Sequence, residues 1–155
     1  GAGTETVEVQ DPSANQTNGM EDGGVDQSGS EGMDNAEQTL SSLEAQLQSI
    51  TFDFDKFEIK ADMEGKLKTN ATLANAAASA YNVKLEGNCD EWGSDEYNYA
   101  LGLKRAKAAK DAMVAEGVDA ARITMVSFGE SNPTCTEQTQ ACWAENRRVD
   151  FKLLP

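Results

Sequence analysis

Apolar and polar residues alternate along four stretches of the chain, and this period-two pattern predicts four β-strands. The stretches are 50–54, 82–87, 123–128 and 149–153. A strand of this kind presents one apolar face, which needs a second layer of structure to cover it.

Two long helices are predicted between these strands. Over 62–81, apolar residues recur every three or four positions, which is the spacing of one helical face. A second helix begins at Ser94 or Asp95, where a capping residue precedes a long run of Ala and Leu, and it ends near Gly117. One further helical turn is predicted over 143–145.

The order of these elements is strand, helix, strand, helix, strand, strand. It predicts an α/β fold, a two-layer α+β sandwich in which two long helices pack on one face of a four-stranded mixed sheet. We assign this domain to residues 48–155.

The N-terminal part of the chain has a different composition. Residues 1–35 contain eight acidic side chains, no Lys or Arg, and no Leu, Ile or aromatic residue. Such a segment cannot bury enough apolar surface to offset the entropy of ordering, so we predict a disordered acidic linker. A short helix is predicted over 36–47, with Leu40, Leu43 and Leu47 on one side. It could bind a partner or pack on the domain, and packing is the favoured interpretation.

Charge and composition exclude several classes of function. The chain has 13 Lys and Arg against 27 Asp and Glu, and this net charge of −14 argues against nucleic acid or anionic lipid as a partner. It contains no histidine, which excludes serine–histidine and cysteine–histidine catalysis and histidine-ligated metal sites. No apolar stretch approaches the roughly 20 residues of a membrane-spanning helix.

The three cysteines fall into a pair and a single residue. Cys135 and Cys142 flank a short polar loop, where they are either two thiols of a reduced protein or a disulfide formed in an oxidising compartment. We favour the disulfide, because exposed free thiols in a polar loop would be a liability and nothing nearby indicates a metal site. Cys89 is either a reactive thiol or a buried one, and its acidic neighbours in sequence favour the buried thiol.

One negative and one positive side chain in the middle of the chain have the spacing of a binding site. Asp90 lies in the turn after the second strand, and Arg105 lies on the helix that follows. A helical side chain leans towards the N-terminus of its helix, so Arg105 would lean towards that turn. Together the two charges suit a zwitterionic ligand. The alternative interpretation is a salt bridge between them that only fixes the turn to the helix.

Four separated segments of the chain carry a recognisable combination of motifs. They are FDFDKFEIK from residue 52, EGNCDEWGSDEYNYALGLKRAKAAKDAM from 86, VSFGESNP from 126 and AENRRVDF from 144. In this order and spacing they resemble the OmpA-like peptidoglycan-binding domain, and most closely that of the peptidoglycan-associated lipoproteins of Gram-negative bacteria. The resemblance covers roughly residues 48–155.

The resemblance implies a ligand and two residues that hold its charges. In this family the domain binds the diaminopimelate side chain of the peptidoglycan stem peptide without catalysis. Asp90 would bind the ammonium group at the far end of diaminopimelate, and Arg105 would bind the carboxylate at the same end. Asn146 and Arg147, from the NRR motif, would brace the site from the last strand.

Four more residues would form the walls of the cleft. By the same resemblance, Phe54 and Asp55 would line it. Leu101 would form its apolar wall, and Asn98 would be a supporting polar residue. Trp92, in the turn after Asp90, has two interpretations of equal weight: a platform on which a sugar ring stacks, or exposed filling of the turn.

The resemblance also implies partners and a location. They are peptidoglycan, a TolB-like β-propeller protein of the Tol system, and the periplasmic face of the outer membrane. A lipid anchor on a cysteine upstream of residue 1 would hold the protein to that membrane. No cofactor, metal ion or nucleic acid is expected. Two alternatives are a domain excised from a stator or porin-type membrane protein, and an enzyme that acts on the cell wall through Asp90, Glu91 or Asp95.

Overall fold

The structure is a computed structural model that describes residues 31–155. The segment predicted to be a disordered linker lies almost wholly outside the described residues. In chain order the helices and strands are α1 (Glu31–Glu44), β1 (Ile50–Thr51), α2 (Glu64–Asn75), β2 (Asn82–Asn88), α3 (Asp95–Ala115), β3 (Ile123–Gly129), α4 (Gln140–Asn146) and β4 (Arg148–Leu154). Short 3-10 turns precede α2 at Ala61–Met63 and β3 at Ala120–Arg122.

The four strands form one mixed sheet in the order β1-β4-β2-β3. β2 and β3 are parallel, with Leu85 opposite Met125. β4 lies between β1 and β2 and is antiparallel to both, with Phe151 opposite Leu85. The predicted α/β fold, a two-layer sandwich with a mixed sheet, is therefore confirmed.

A single apolar core fills the space between the sheet and the two long helices. Its largest members come from alternate positions of the strands, because the side chains of a strand point alternately to its two faces. Small residues of α3 complete it. The core includes Ile50, Val83, Leu85, Ile123, Met125, Val149, Phe151, Ala106, Ala109 and Met113.

Two glycines allow α3 to lie unusually close to the end of β2. A methyl group added at Gly87 would overlap the backbone carbonyl of Gly102 on the helix. A methyl group added at Gly102 would overlap the hydroxyl of Ser127 on β3. This close approach places the first turns of α3 directly beside the loop that leaves β2.

α2 is shorter than the helix predicted over 62–81. It ends at Asn75, although Ala78 beyond it still belongs to the core. The guanidinium of Arg122 donates hydrogen bonds to the carbonyls of Ala74, Ala78 and Tyr81. The last carbonyls of a helix lack partners unless the helix continues or another group donates to them. Here the guanidinium of Arg122 donates to one of them, that of Ala74, and to two carbonyls beyond the helix, so the helix can end early.

The prediction of a strand over 50–54 is wrong beyond Thr51. Phe52 still donates its N–H to the carbonyl of Arg147, at 2.9 Å, but the chain then turns, with the N–H of Lys56 bonded to the carbonyl of Asp53. Phe54 lies in this turn and is 60% exposed. The alternation of apolar residues therefore extends beyond the end of the strand. Its last member, Phe54, lies in the turn and not in the sheet.

The helix predicted over 36–47 is present as α1. It begins at Glu31, inside the segment predicted to be disordered, and ends at Glu44, three residues before the predicted end. Leu40, Leu43 and Leu47 pack against the core, which confirms packing as its role in the structure. Because β1 is only two residues long, the far half of β4 has no neighbouring strand on that side. There the carboxylate of Glu44 accepts a hydrogen bond from the N–H of Leu153, at 2.8 Å. None of the helices in residues 31–155 combines the length and apolar character needed to cross a membrane.

The close approach of α3 to β2 gives a test of the packing. We expect Gly87→Ala to lower the free energy of unfolding by about 1–3 kcal/mol, because the added methyl group must displace a helix backbone and cannot move a flexible side chain aside. Urea denaturation would measure the change. Gly65→Ala in α2 is the matched control, because nothing lies within 4 Å of its added methyl group. An equal loss of stability in both variants would contradict the packing argument.

Candidate binding site

Three segments meet beside the carboxyl end of β2 and enclose a cavity of about 220 Å³, which we call the cleft. The segments are the turn after β1, the loop after β2 and the first turns of α3. The cleft contains all six residues predicted to contact the ligand. The lining residues are Phe54, Asp55, Asp90, Trp92, Gly93, Tyr97, Asn98, Leu101 and Arg105.

Arg105 is completely buried and ties the walls of the cleft together. Its guanidinium donates to the carbonyls of Lys56 at 2.8 Å, Asn88 at 3.0 Å and Asp53 at 3.1 Å. Two of these carbonyls belong to the turn after β1, and the third belongs to the end of β2. The guanidinium also lies over the ring of Phe52, 5.4 Å from its centroid. Arg105 is therefore a structural centre of the cleft as well as part of its lining.

The alternative of a salt bridge between Asp90 and Arg105 is wrong, because each residue has other partners. Asp90 pairs with Arg147, whose Nη1 lies 3.2 Å from Oδ2. Its other oxygen, Oδ1, accepts the backbone N–H of Trp92 at 3.1 Å. Arg147 is fixed in turn by a hydrogen bond from Nε to the carbonyl of Phe52, at 2.8 Å. Asp90 is held in place from two sides, and Arg105 remains available to a different anion.

The electrostatic environment of Arg105 is unusual for a cation. Burial lowers the pKa of its guanidinium, because a charge loses its hydration in the protein interior. The nearby Cys89 and Asp90 oppose this effect and raise the pKa. A guanidinium has five N–H groups. Three bond to the carbonyls above, and the other two have no oxygen partner among the described residues, although the thiol of Cys89 lies near the guanidinium.

The start of α3 positions the helical wall of the cleft. Ser94 caps the helix, as predicted, and its hydroxyl accepts the N–H of Tyr97 at 3.1 Å. The buried amide of Asn98 donates to the carbonyl of Trp92, at 3.0 Å, and so fixes the loop after β2 to the helix. Leu101, one turn further, supplies the apolar part of this wall.

Tyr97 is a cleft residue that the sequence reasoning missed. Its hydroxyl donates to Oδ1 of Asp55 and joins the helix to the turn after β1. This bond is the main reason why the pKa of Tyr97 is raised, because the phenol proton is shared with a carboxylate. Asp55 has a φ of +59°, a left-handed conformation that few residues other than glycine adopt. Its position in the sequence could have revealed it, because Tyr97 lies four residues before Leu101 and therefore on the same face of the helix.

Asn146 supports a loop at some distance from the cleft. Its Oδ1 accepts the N–H groups of Thr134 and Cys135, and its Nδ2 donates to the carbonyl of Cys135. The predicted disulfide between Cys135 and Cys142 is present in the same loop. Asn146 ends α4, and Arg147 precedes β4. The structure therefore places the two residues just before the last strand, and only Arg147 contacts Asp90.

Cys89 is buried, as predicted, next to the residues of the cleft. Its thiol donates to the carbonyl of Asn98, with Sγ 3.2 Å from the oxygen. Burial raises the pKa of this thiol from 9.0 to about 11. Within residues 31–155, no group of three acidic or cysteine side chains is placed to hold a metal ion.

The chain is similar in sequence to known proteins. A sequence profile described as the OmpA family matches residues 51–147. The chain is 40% identical to the peptidoglycan-associated lipoprotein of Pseudomonas putida over 114 residues, which cover 72% of this chain and 68% of that protein. It is 37% identical to the protein of the same name from Haemophilus influenzae over 111 residues, which cover 72% of each chain.

Solved structures share the fold. The crystal structure of the peptidoglycan-associated lipoprotein from Burkholderia pseudomallei has a TM-score of 0.65 and 35% sequence identity, and the match covers 68% of this chain and 89% of that chain. The C-terminal domain of MotB from Helicobacter pylori also has a TM-score of 0.65, at 19% identity, over 70% of this chain and 84% of that chain. The likeness to MotB shows a shared fold alone.

The environment of Cys89 predicts its reactivity. With a pKa about two units above that of an exposed thiol (about 11 against 9.0), Cys89 has roughly 100-fold less thiolate at pH 8. We therefore expect iodoacetamide to alkylate Cys89 at least roughly 100-fold more slowly in the folded protein than in the protein unfolded in urea. The folded rate should continue to rise between pH 9 and 11, where the unfolded rate levels off. Rapid labelling of the folded protein would contradict this burial, and Cys89→Ser provides the blank.

Proposed function

The chain belongs to the OmpA family, and on that premise we propose that its cleft binds the free end of diaminopimelate in the stem peptides of peptidoglycan. The observation that carries the proposal is the meeting of Asp90 and Arg105 in one cavity, 15 residues apart in sequence and without a salt bridge between them. The binding is non-covalent, and the bound peptide leaves unchanged. The protein thereby attaches to the cell wall.

The chemistry of the ligand matches the two charges. The free end of diaminopimelate carries an ammonium group and a carboxylate on the same carbon atom. The two remaining N–H groups of Arg105 are oriented by the carbonyls that bind the other three, so they meet a carboxylate at little entropic cost. An aspartate has about four lone-pair sites. Two of those of Asp90 are occupied by Arg147 and the N–H of Trp92, and the others accept the ammonium group.

The ligand reaches Arg105 through the exposed side of the cleft. Arg105 has 0% exposed surface, so a side chain that covers it has to move when a carboxylate arrives. Phe54 and Tyr97 are the candidates, because both line the cleft and both are at least half exposed. The bond from Tyr97 to Asp55 is the only hydrogen bond that the structure gives for the side chain of Asp55, among the described residues. We place the entrance at this bond.

Arg105 also gives the site its selectivity. Lysine replaces diaminopimelate in some stem peptides, and it has the ammonium group but not the terminal carboxylate. A lysine peptide would form no hydrogen bond to the two remaining N–H groups of Arg105. A hydrogen bond to a charged group contributes about 1.5–3 kcal/mol, so its loss corresponds to a roughly 10- to 150-fold weaker complex.

Asp90 provides the first test. We expect Asp90→Asn to weaken binding of a diaminopimelate tripeptide by at least about 10-fold, because a hydrogen bond to a charged group contributes about 1.5–3 kcal/mol. The asparagine keeps an oxygen for the N–H of Trp92 but loses the salt bridge to Arg147, so the thermal unfolding of the variant is measured beside its affinity. Arg105→Ala is less informative, because it also removes three hydrogen bonds that form the cleft. Isothermal titration calorimetry measures the affinity.

The control for this test is Asp111→Asn, on α3. Asp111 is exposed and pairs with Lys107, so its substitution makes the same change in charge away from the cleft. It should bind like the wild type. Titration with the lysine tripeptide adds a second comparison, in which wild-type binding should be weaker by the factor given above. Equal affinities for both peptides, or release of fragments from cell wall incubated with the protein, would reject the proposed function.

We extend the proposal to the place of the protein in the cell. The relatives reported above are lipoproteins by name. We propose that a lipid on a cysteine upstream of residue 1 holds this protein to the periplasmic face of the outer membrane, while the domain holds the cell wall. A TolB-like β-propeller protein of the Tol system would bind an overlapping face and compete with peptidoglycan.

Cell fractionation tests this extension. The product of the full-length gene is expected in the outer-membrane fraction, with an acylated cysteine detected by mass spectrometry. A β-propeller protein should cross-link to it, and added diaminopimelate peptide should reduce the cross-link. An unmodified N-terminus would reject the anchor. A cross-link that is insensitive to the peptide would reject the overlap.

A further inference from the structure

A second cavity adjoins the cleft and is larger, at about 340 Å³. We call it the tryptophan pocket, because two tryptophans form much of its wall. It shares Phe54, Asp90 and Trp92 with the cleft and extends from them towards α4. Its complete lining is Phe54, Asp90, Trp92, Gln140, Trp143 and Arg147. The function proposed for the cleft does not use this space.

The two tryptophan rings are held in a fixed arrangement. Their centroids lie 5.3 Å apart, and their planes cross at 76°, so the edge of one ring meets the face of the other. The indole N–H of Trp143 donates to Oε2 of Glu91, at 2.8 Å. The backbone of Trp92 is bonded on both sides, to Asp90 through its N–H and to Asn98 through its carbonyl.

The support of Trp143 extends into the disulfide loop. Trp143 lies on α4, next in sequence to Cys142, which is bonded to Cys135. Thr139 caps this short helix by accepting the N–H of Cys142, at 3.1 Å. Such a support fixes the ring before any ligand arrives, which reduces the entropy lost on binding.

The exposure of Trp92 argues against simple filling of the turn. Its side chain is 52% exposed, although large aromatic residues that serve only to pack are mostly buried. An exposed ring beside a cavity with polar groups is typical of a binding surface.

We propose that the tryptophan pocket binds a pyranose ring of the glycan strand, the N-acetylhexosamine that carries the stem peptide. This inference rests on the function proposed for the cleft and names a second subsite for the same polymer. A pyranose ring has apolar C–H faces and a polar rim, and an indole ring offers an apolar face to match. At about 340 Å³ the cavity lies at the lower end of the usual range for ligand pockets, which suits a single ring.

Polar groups in the pocket match the rim of a sugar. Gln140 provides an exposed amide that can donate to and accept from hydroxyl groups. Arg147 uses Nε and Nη1 for Phe52 and Asp90, and among the described residues no acceptor is bonded to its Nη2. That nitrogen is a donor for the N-acetyl carbonyl or a ring hydroxyl.

The two subsites are close enough for one ligand. Two amino acids and a lactyl ether separate diaminopimelate from the sugar in a stem peptide, and two extended residues alone span about 7 Å. The cleft and the tryptophan pocket share three lining residues, so no protein element separates them. A peptide bound at Asp90 and Arg105 would therefore lead its sugar to the tryptophans.

Intrinsic fluorescence gives a direct test of where the sugar binds. The chain contains two tryptophans, and both line this pocket. Trp92 also lines the cleft, so emission excited at 295 nm reports on the pocket through both rings and on the cleft through Trp92 alone. A disaccharide–tripeptide should change this emission far more than the free tripeptide does at equal saturation of the protein. Equal changes with both ligands would overturn the proposal.

Calorimetry then measures what the sugar adds. We expect the wild type to bind the disaccharide–tripeptide at least 5-fold more tightly than the free tripeptide. Trp143→Ala should reduce this ratio towards 1 with little change in affinity for the free tripeptide, because Trp143 does not line the cleft. If that variant does not fold, Trp92→Ala serves for the ratio alone: its ring is half exposed and its backbone bonds remain, but it also lines the cleft, so its loss changes the affinity for both ligands. Phe57→Ala removes an exposed aromatic ring that lines neither cavity, and it should leave the ratio unchanged.

The outcomes separate this proposal from the function of the cleft. If the free tripeptide binds but the sugar adds nothing, the tryptophan pocket is not a sugar subsite and the cleft proposal stands. If the tripeptide does not bind but the disaccharide–tripeptide does, through the tryptophans, the cleft proposal fails and this one stands. If neither ligand binds, both fail. A ratio above 5 that persists in the tryptophan variants also overturns the proposal.

Discussion

The site depends on one buried cation whose charge is satisfied largely by backbone carbonyls. A guanidinium with no exposed surface has lost its hydration, which is costly unless hydrogen bonds replace it. Arg105 obtains them from the turn after β1 and from the end of β2, and it thereby fixes two segments that no strand pairing joins. The same bonds orient its remaining N–H groups. The proposed function would therefore give one side chain two uses, structural support and ligand recognition, and a substitution there would affect both.

Much of the fold could be predicted from the sequence because it depends on local patterns. Alternating apolar residues placed β2, β3 and β4 to within a residue at each end, and the Ser94 cap placed the start of α3. The errors arose where a distant residue determines the local conformation. α2 ends early because Arg122, far along the chain, donates hydrogen bonds to the carbonyl of Ala74 in its last turn and to that of Ala78 beyond it. Phe54 follows the alternating pattern but lies in a turn outside the sheet. That turn is held by hydrogen bonds from Arg105, on α3, to the carbonyls of Asp53 and Lys56.

The residues that line the candidate site could be predicted from the sequence, but the contacts between them could not. All six residues taken from the family motifs line one cavity, because the order of the elements brings the three segments together. Asp90 pairs with Arg147, and Trp92 meets Trp143. Each contact joins residues more than 50 positions apart that have no periodic relation. Pattern reasoning has no access to such contacts. They are also what turns a single cleft into two adjoining cavities, since Arg147 and Trp143 both reach it from the α4 side.

The hydrogen bond between the carboxylate of Glu44 and the exposed edge of β4 matters when many copies of the protein lie close together. An exposed strand edge is a template on which another chain can add a strand, and this risk grows when many copies are concentrated on one surface. A protein arrayed along a polymer would meet its own copies at high local density. By accepting the N–H of Leu153, the carboxylate of Glu44 on α1 occupies one of the groups through which a second chain would pair with this edge. The helix before the domain therefore covers part of a strand edge that neighbouring copies would otherwise meet.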